Sequence, residues 1–313
     1  MVRALLTGSA GMLGGEVAAA WRAQRPDDEL VAVTRQDIDL RDRAAVVRFI
    51  EDQAPDVVIH AAARVGGIQD KLNHPTRYLL DNLLIDTSVI SGALDARIPS
   101  LLYVGSAAVY PEHYRQPFTE DDILAGPLEH ANEGYALAKI AALKLCAYAS
   151  REFGVSYRVA LPSNLYGPGD DFSAAKGHLI AAAIGKLHRA RLGDLPTVSV
   201  WGDGTARREF TYAADVASWF VQQADRLAHW PPVVNVGAGS DHTVAQYYDI
   251  ARRVVGFEGG LVFDSTKPEG MRQRILDSTV ASRLGWAAHT DLEAGMAAAY
   301  AQLRSRSDSR KRT

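Results

Sequence analysis

The chain has 313 residues, 47% hydrophobic and 23% charged, with 34 basic against 37 acidic side chains and a net charge of -3. That length allows one large or two closely packed domains with a full core, and the charge balance excludes nucleic acid as the main partner. The single cysteine, Cys146, excludes an internal disulfide framework and fits a reducing, cytoplasmic setting, while no stretch approaches the ~20 apolar residues of a membrane helix.

Residues 4–7 form a short apolar run that leads straight into a glycine-spaced loop, so they read as a first strand and not as a leader. Gly8, Gly11 and Gly14 follow at three-residue spacing, with Met12 and Leu13 opening a helix over 13–25. Glycine lets the backbone turn sharply and approach a pyrophosphate, whose charge the helix N-terminus welcomes, so this loop predicts a dinucleotide site. The second strand, 30–33, runs into Thr34-Arg35, with no carboxylate before Asp37. An acidic residue at that end would bind the ribose 2'-hydroxyl of NAD and repel a 2'-phosphate. Arg35 suits the phosphate, so NADP is expected ahead of NAD, with Asp39 near the adenine edge.

A helix over 41–53 leads to a third strand, 57–61, whose end, Ala61-Ala62-Ala63, offers small side chains where cofactor ribose passes close to backbone. A helix over 75–95, a strand over 101–104, a helix over 135–153 and strands at 156–160 and 233–236 complete the alternation. The pattern predicts an α/β fold, a doubly wound Rossmann-type parallel sheet whose ligand crevice lies at the carboxyl ends of the strands. Beyond Pro162 the rhythm loosens into Pro- and Gly-rich segments, which read as a smaller, mostly helical substrate domain. The expected division is 1–165 with about 212–238 for the dinucleotide, and about 166–211 with 239–303 for the substrate. Residues 304–313, with five basic side chains, read as a flexible tail.

Tyr135 and Lys139 stand four residues apart on a helix, so both project from one face. An ammonium near a phenol favours the phenolate, giving a proton donor and acceptor usable near neutral pH. Ser106 ends the fourth strand, where its hydroxyl can hydrogen-bond a substrate carbonyl and the alkoxide that develops on it. Together with the glycine loop, these three residues point to a nicotinamide-dependent enzyme acting on a sugar or alcohol. Cys146, within a helical stretch, reads as a buried small hydrophobe, and no metal-ligand set is assigned.

On these and further strings the chain resembles the extended short-chain dehydrogenase/reductases that act on nucleotide sugars, and among them the GDP-L-fucose synthase family. The strings are AAARVGGI at 61–68, NEGYALAK at 132–139, PSNLYGP at 162–168, GHLI at 177–180, VWGDGT at 200–205, REF at 208–210 and FDSTKPEG at 263–270. The resemblance implies C3 and C5 epimerisation of a GDP-linked 4-keto-6-deoxyhexose followed by NADPH reduction at C4, and homodimers paired through the helix carrying the Tyr-Lys motif and its predecessor. It further implies that Pro162, Asn164 and Leu165 line the cofactor, that His178 is one half of the epimerising acid/base pair, and that Asn164, His178, Lys186, Trp201 and Arg208 hold the nucleotide sugar. Taken alone, Arg35 can be simply a surface arginine, a lone histidine such as His178 usually only packs, and Trp201 is equally a core tryptophan.

One departure stands out. The family's other acid/base is a cysteine two residues after the serine, and here that position is Ala108. His130, where the resemblance suggests proline, is expected to face the same cleft and is an alternative base. A 4-ketoreductase without epimerisation, or an epimerase of one centre, is therefore the competing expectation.

Overall fold

The computed structural model describes residues 1–173, 177–267 and 270–310, with side chains to 306. Its first half alternates β1 (Arg3–Thr7), α1 (Met12–Gln24), β2 (Glu29–Val33), α2 (Arg43–Gln53), β3 (Val57–His60), the short α3 (Ile68–Asn73), α4 (Pro75–Asp95), β4 (Ser100–Val104), α5 (Glu133–Phe153) and β5 (Ser156–Pro162). After β6 (Asn164–Tyr166) come α6 (Leu179–Leu192), β7 (Thr197–Trp201), β8 (Arg207–Tyr212), α7 (Ala213–Gln223) and β9 (Val233–Val236). The chain continues through β10 (Asp241–Thr243), α8 (Val244–Val255), β11 (Gly260–Asp264), β12 (Gln273–Arg274), α9 (Thr279–Arg283) and α10 (Leu292–Arg310). Every expected element of the main sheet is present within two residues of its expected ends.

The main sheet has six strands in the order β2-β1-β3-β4-β5-β9, all parallel. Alternate residues serve opposite faces. Leu5, Val58, Leu101 and Tyr103 pack with α2, α4 and α5, while Leu6, Val57, Ile59 and Leu102 pack with α1 and α7. Both faces are covered, so each strand reads as an unbroken apolar run without polar alternation. The strand order reverses between β1 and β3, which opens a crevice at the carboxyl ends of these strands.

A third core joins Ile184 and Leu187 of α6 with Tyr247 and Tyr248 of α8, Met296 and Tyr300 of α10, and Phe210 of β8. Short strands accompany these helices, β8 with β6, β10 and β12, and β7 with β11. Ala281 of α9 and Trp286 instead pack with Trp219 of α7 against the main sheet. Helix α10 continues through the expected tail as far as Arg310. Residues 311–313, and Pro268 and Glu269 of the string 263–270, lie outside the described residues. No described helix is long and apolar enough to cross a membrane.

Candidate active site

A cleft of about 1450 Å3 runs from the glycine loop, across the ends of β3, β4 and β5, to α6 and β8. A single small-ligand pocket is roughly 300–1,000 Å3, so this one has room for a dinucleotide and a second large ligand. Its loop end is shaped by glycine. Gly8 has φ +76°, and a Cβ there would lie 2.7 Å from the Ala62 nitrogen; at Gly14 a Cβ would lie 2.1 Å from the Gly8 carbonyl oxygen. The first glycine lets the loop close on β3 and the last lets α1 start against it, leaving backbone free to meet a phosphate.

Gly11, Met12, Leu13, Ala61, Ala62, Ala63, Pro162 and Leu165 all line this part of the cleft. After β2, Asp37 accepts from the Thr34 backbone N–H (2.8 Å) and hydroxyl (2.7 Å), a tight turn that leaves Arg35 and Gln36 at the tip, on the cleft wall. The residues therefore fit a dinucleotide, and Arg35 stands on the cleft wall at this end. Asp39, expected near the adenine edge, stands off the cleft wall, because its carboxylate takes Arg41 at 3.0 and 2.8 Å, an interaction that holds it down to about 2.

At the centre, Ser106, Tyr135 and Lys139 open into the same cleft. The Ser106 oxygen accepts from the Ala108 N–H at 3.2 Å, so its own proton remains available to a substrate oxygen. Tyr135 takes no protein hydrogen bond among the described residues, and its ring lies 4.7 Å from the Lys71 ammonium and 5.8 Å from that of Lys139. Lys139 is fully buried and turned toward Asp86 of α4, at 3.3 and 3.5 Å. Asp86 also accepts from the Tyr103 hydroxyl (2.7 Å) and pairs with His60 (3.1 Å), whose other ring nitrogen meets the Thr7 hydroxyl at 2.7 Å. Burial opposes ionisation of Asp86, but Lys139 and the His60 and Tyr103 hydrogen bonds outweigh it and hold the carboxyl below its usual range. Burial also lowers His60, keeping it neutral.

Neither Cys146 nor His130 lines the cleft. Cys146 is fully buried among α4, α5 and the sheet, and burial pushes its thiol well up. His130 is exposed, on a 3-10 turn (His130–Asn132), and does not line the cleft; Glu129 and Asn132 on either side of it do. Ala108 packs against Tyr78, Tyr135 and Ala136, and its own methyl group can serve as neither acid nor base.

At the far end the cleft becomes cationic. Lys186 donates to the Ser199 carbonyl at 3.2 Å and stands 5.7 Å from the ring of Trp201. Trp201 is 49% exposed on the cleft wall, and so is not a core residue. Asn164 donates to the Glu209 carbonyl at 3.0 Å, and Arg208 to that of Arg207 at 2.7 Å. Sequence reasoning missed the group between them. Arg274 pairs with Glu129 at 2.7 Å, Glu129 also accepts from Asn132, and Asn132 accepts from Lys71 at 2.8 Å. Burial works against Glu129, but Arg274, Asn132 and Arg208 hold it below its usual range. Arg208 and Arg274 thus face a single carboxylate, and the excess positive charge there suits a diphosphate.

His178 caps α6 and keeps 37% of its side chain open to the cleft, 4.0 Å from Asp170. Enclosure and the Lys71 ammonium push its imidazole down to about 4. Asp170 is buried, with one oxygen accepting from the Asp171 N–H at 2.7 Å and the other without a partner among the described residues, and burial pushes it up to about 7. An acid raised in the folded state costs nothing below its unfolded value of about 4, and the cost grows until it is complete above about 7. Asp170→Asn is accordingly expected to stabilise the protein by on the order of 2 kcal/mol at pH 8 and by little at pH 4. A gap in urea unfolding free energy that is equal at both values would show that no raised carboxyl is involved.

A parallel sheet with a glycine loop, and a serine, tyrosine and lysine brought together at its switch point, defines a nicotinamide-dependent short-chain dehydrogenase/reductase of the extended type. The chain belongs to the NAD dependent epimerase/dehydratase family, whose model matches residues 4–237. It is 40% identical over 296 residues to the GDP-L-fucose synthase of Azorhizobium caulinodans, covering 95% of this chain and 94% of that protein. To the GDP-L-colitose synthase of Yersinia pseudotuberculosis it is 38% identical over 296 residues, covering 94% and 96%. Among solved structures, MlghC, a GDP-mannoheptose C4 reductase from Campylobacter jejuni with NADP bound, aligns with a TM-score of 0.87 at 25% identity, covering 97% of this chain and 98% of that one. The Naegleria fowleri GDP-L-fucose synthetase bound to NADP shares the fold, with a TM-score of 0.89 at 24% identity and coverage of 98% and 94%.

Proposed function

We propose that the chain is an NADP(H)-dependent epimerase/reductase of a GDP-linked 4-keto-6-deoxyhexose. The convergence of Ser106, Tyr135, Lys139 and His178 on one two-ligand cleft carries the reading. The printed activities of its relatives and the cationic far end support it. Bound NADPH supplies the hydride for C4. Ser106 donates its free proton to the 4-keto oxygen and Tyr135 delivers the proton that completes the alcohol, while Lys139, its charge balanced by Asp86, holds the cofactor ribose. The 4-ketone acidifies C3 and C5, and the same two hydroxyls stabilise the enediolate formed when either loses its proton. Asn164, Lys186, Trp201 and Arg208 are the proposed contacts of the nucleotide sugar. Arg35 at the tip of the β2 turn supports NADP over NAD, and the lone buried thiol supports a cytoplasmic setting.

A second reading, a 4-ketoreductase without epimerisation, is favoured by one observation, the alanine at 108 in an apolar surround. Incubating the protein with GDP-4-keto-6-deoxy-D-mannose in deuterated water separates the two. NADPH oxidation with deuterium at C3 or C5 supports the epimerase/reductase, oxidation without deuterium supports the reductase, and neither process sinks both. NADH tested in place of NADPH should turn over more slowly; equal rates would remove Arg35's role. Exposed Leu80 and Leu84 on α4, with Leu137 and Tyr148 on α5, support a homodimer through that helix pair. Light scattering that gives a monomer mass at micromolar concentration would end that idea.

A further inference from the structure

Among the ionisable side chains of the cleft, most are already occupied. Glu129 is committed to Arg274 and Asn132, Lys139 to Asp86, Asp70 to Tyr78, and Lys186 to the Ser199 carbonyl. Lys71 is different. It projects from α3 into the cleft, its ammonium donates to Asn132, its one side-chain hydrogen bond among the described residues, and lies over the ring of Tyr135 at 4.7 Å. It is also close enough to His178, the residue that precedes α6, to depress that imidazole. Two acid/base groups from different elements therefore line the cleft that holds Tyr135, with Lys71 over its ring.

We propose that Lys71 is the proton donor that works opposite His178 when a carbon beside the substrate's 4-ketone is inverted. This rests on the epimerase/reductase reading above. The C–H bond next to the carbonyl breaks, its proton passing to the neutral His178 imidazole while its electron pair moves onto the oxygen held by Ser106 and Tyr135. When the carbonyl re-forms, the carbon takes a proton from the Lys71 ammonium on its other face. Each inversion moves one proton from Lys71 to His178, and exchange with water returns both groups to their starting states. No oxidant or reductant is consumed.

The resting charges suit those roles. Burial, with Arg274 adding to it and Glu129 opposing, pushes Lys71 down to about 8, so at neutral pH it is protonated yet gives up a proton readily. His178, at about 4, is neutral and ready to accept one. The groups facing Lys71 are Arg274, Glu129, Tyr135 and His178. Ala108 contributes neither acid nor base, so nothing at that position competes for the carbon.

The test uses the full chain with GDP-4-keto-6-deoxy-D-mannose in deuterated water, with and without NADPH, comparing wild type, Lys71→Gln and Lys71→Arg. Wild type is expected to take up deuterium at C3, C5 or both. Both variants should lose that uptake by about 100-fold or more while still oxidising NADPH within a few-fold of wild type. Arginine keeps the cation but surrenders no proton near neutral pH, so it serves even if glutamine perturbs the fold. Uptake by wild type should fall as pH rises past about 8, where the ammonium is lost, and the reduction rate should not follow that limb. Deuterium uptake that survives in either folded variant overturns the proposal. So does loss of exchange and reduction together with NADPH binding intact, which would make Lys71 a substrate anchor. Wild type that oxidises NADPH without deuterium uptake overturns the proposal but leaves the reductase reading standing, whereas no reaction of either kind overturns the functional reading itself.

Discussion

Asp86→Ala will cost about 3–5 kcal/mol of stability, the range for breaking a buried ion pair by removing one partner. The reason lies in what it leaves behind. Lys139 is only 1% exposed, and without Asp86 its ammonium keeps just the faces of Tyr103 (4.7 Å) and Tyr135 (5.8 Å). His60 and the Tyr103 hydroxyl lose the same partner. Urea denaturation reads the cost. Adding Lys139→Met should recover at least about 2 kcal/mol, because it removes the stranded charge. An Asp86→Ala protein within about 1 kcal/mol of wild type, or one that Lys139→Met does not rescue, would mean that Lys139 finds water in the cleft instead. Because the Asp86 carboxyl is held below its usual range, its contribution is complete at neutral pH and is lost only as pH falls through that lowered value.

This pair also marks where sequence reading stops. Glycine spacing, strand runs and the Tyr135–Lys139 interval are local properties, set by a few consecutive bonds and a helix period, and the structure contains each of them. Asp86 lies 53 residues from Lys139 and meets it only because α4 and α5 pack side by side. A signal was nevertheless present. Tyr78, Asn82, Asp86, Val89 and Ala93 fall at three- and four-residue intervals and are all buried, and a carboxylate on such a stripe needs a partner. The Glu129–Arg274 pair spans 145 residues and has no comparable signature. His130 failed for another reason. On a tight 3-10 turn the facing depends on the residue at which the turn begins, and here it turns His130 outward and Asn132 inward. Asp39 was misplaced by a neighbour two residues on, Arg41, whose fork satisfies it locally.

Tyr135→Phe will reduce NADPH oxidation with GDP-4-keto-6-deoxy-D-mannose by roughly 10²–10⁴-fold, the usual worth of a positioned proton donor. Phenylalanine keeps the ring that packs beneath Lys71 and against Lys139 and Ala136, and the lost hydroxyl had no protein partner among the described residues. Stability should therefore change by less than about 1 kcal/mol, and NADPH affinity, measured by fluorescence titration, by no more than a few-fold. The comparison with Lys71→Gln makes the assignment specific. If Tyr135 protonates C4 oxygen and also steadies the enediolate, its loss must slow reduction and deuterium uptake together, whereas loss of Lys71 must slow only the second. A Tyr135→Phe enzyme that reduces at near wild-type rate would move the proton donor to another group of the cleft, Ser106 or Lys71 first. Equal, selective loss of exchange in both variants would instead mean that hydride transfer at C4 proceeds without help from the phenol, and that Tyr135 belongs with Lys71 and His178 in the inversion step alone.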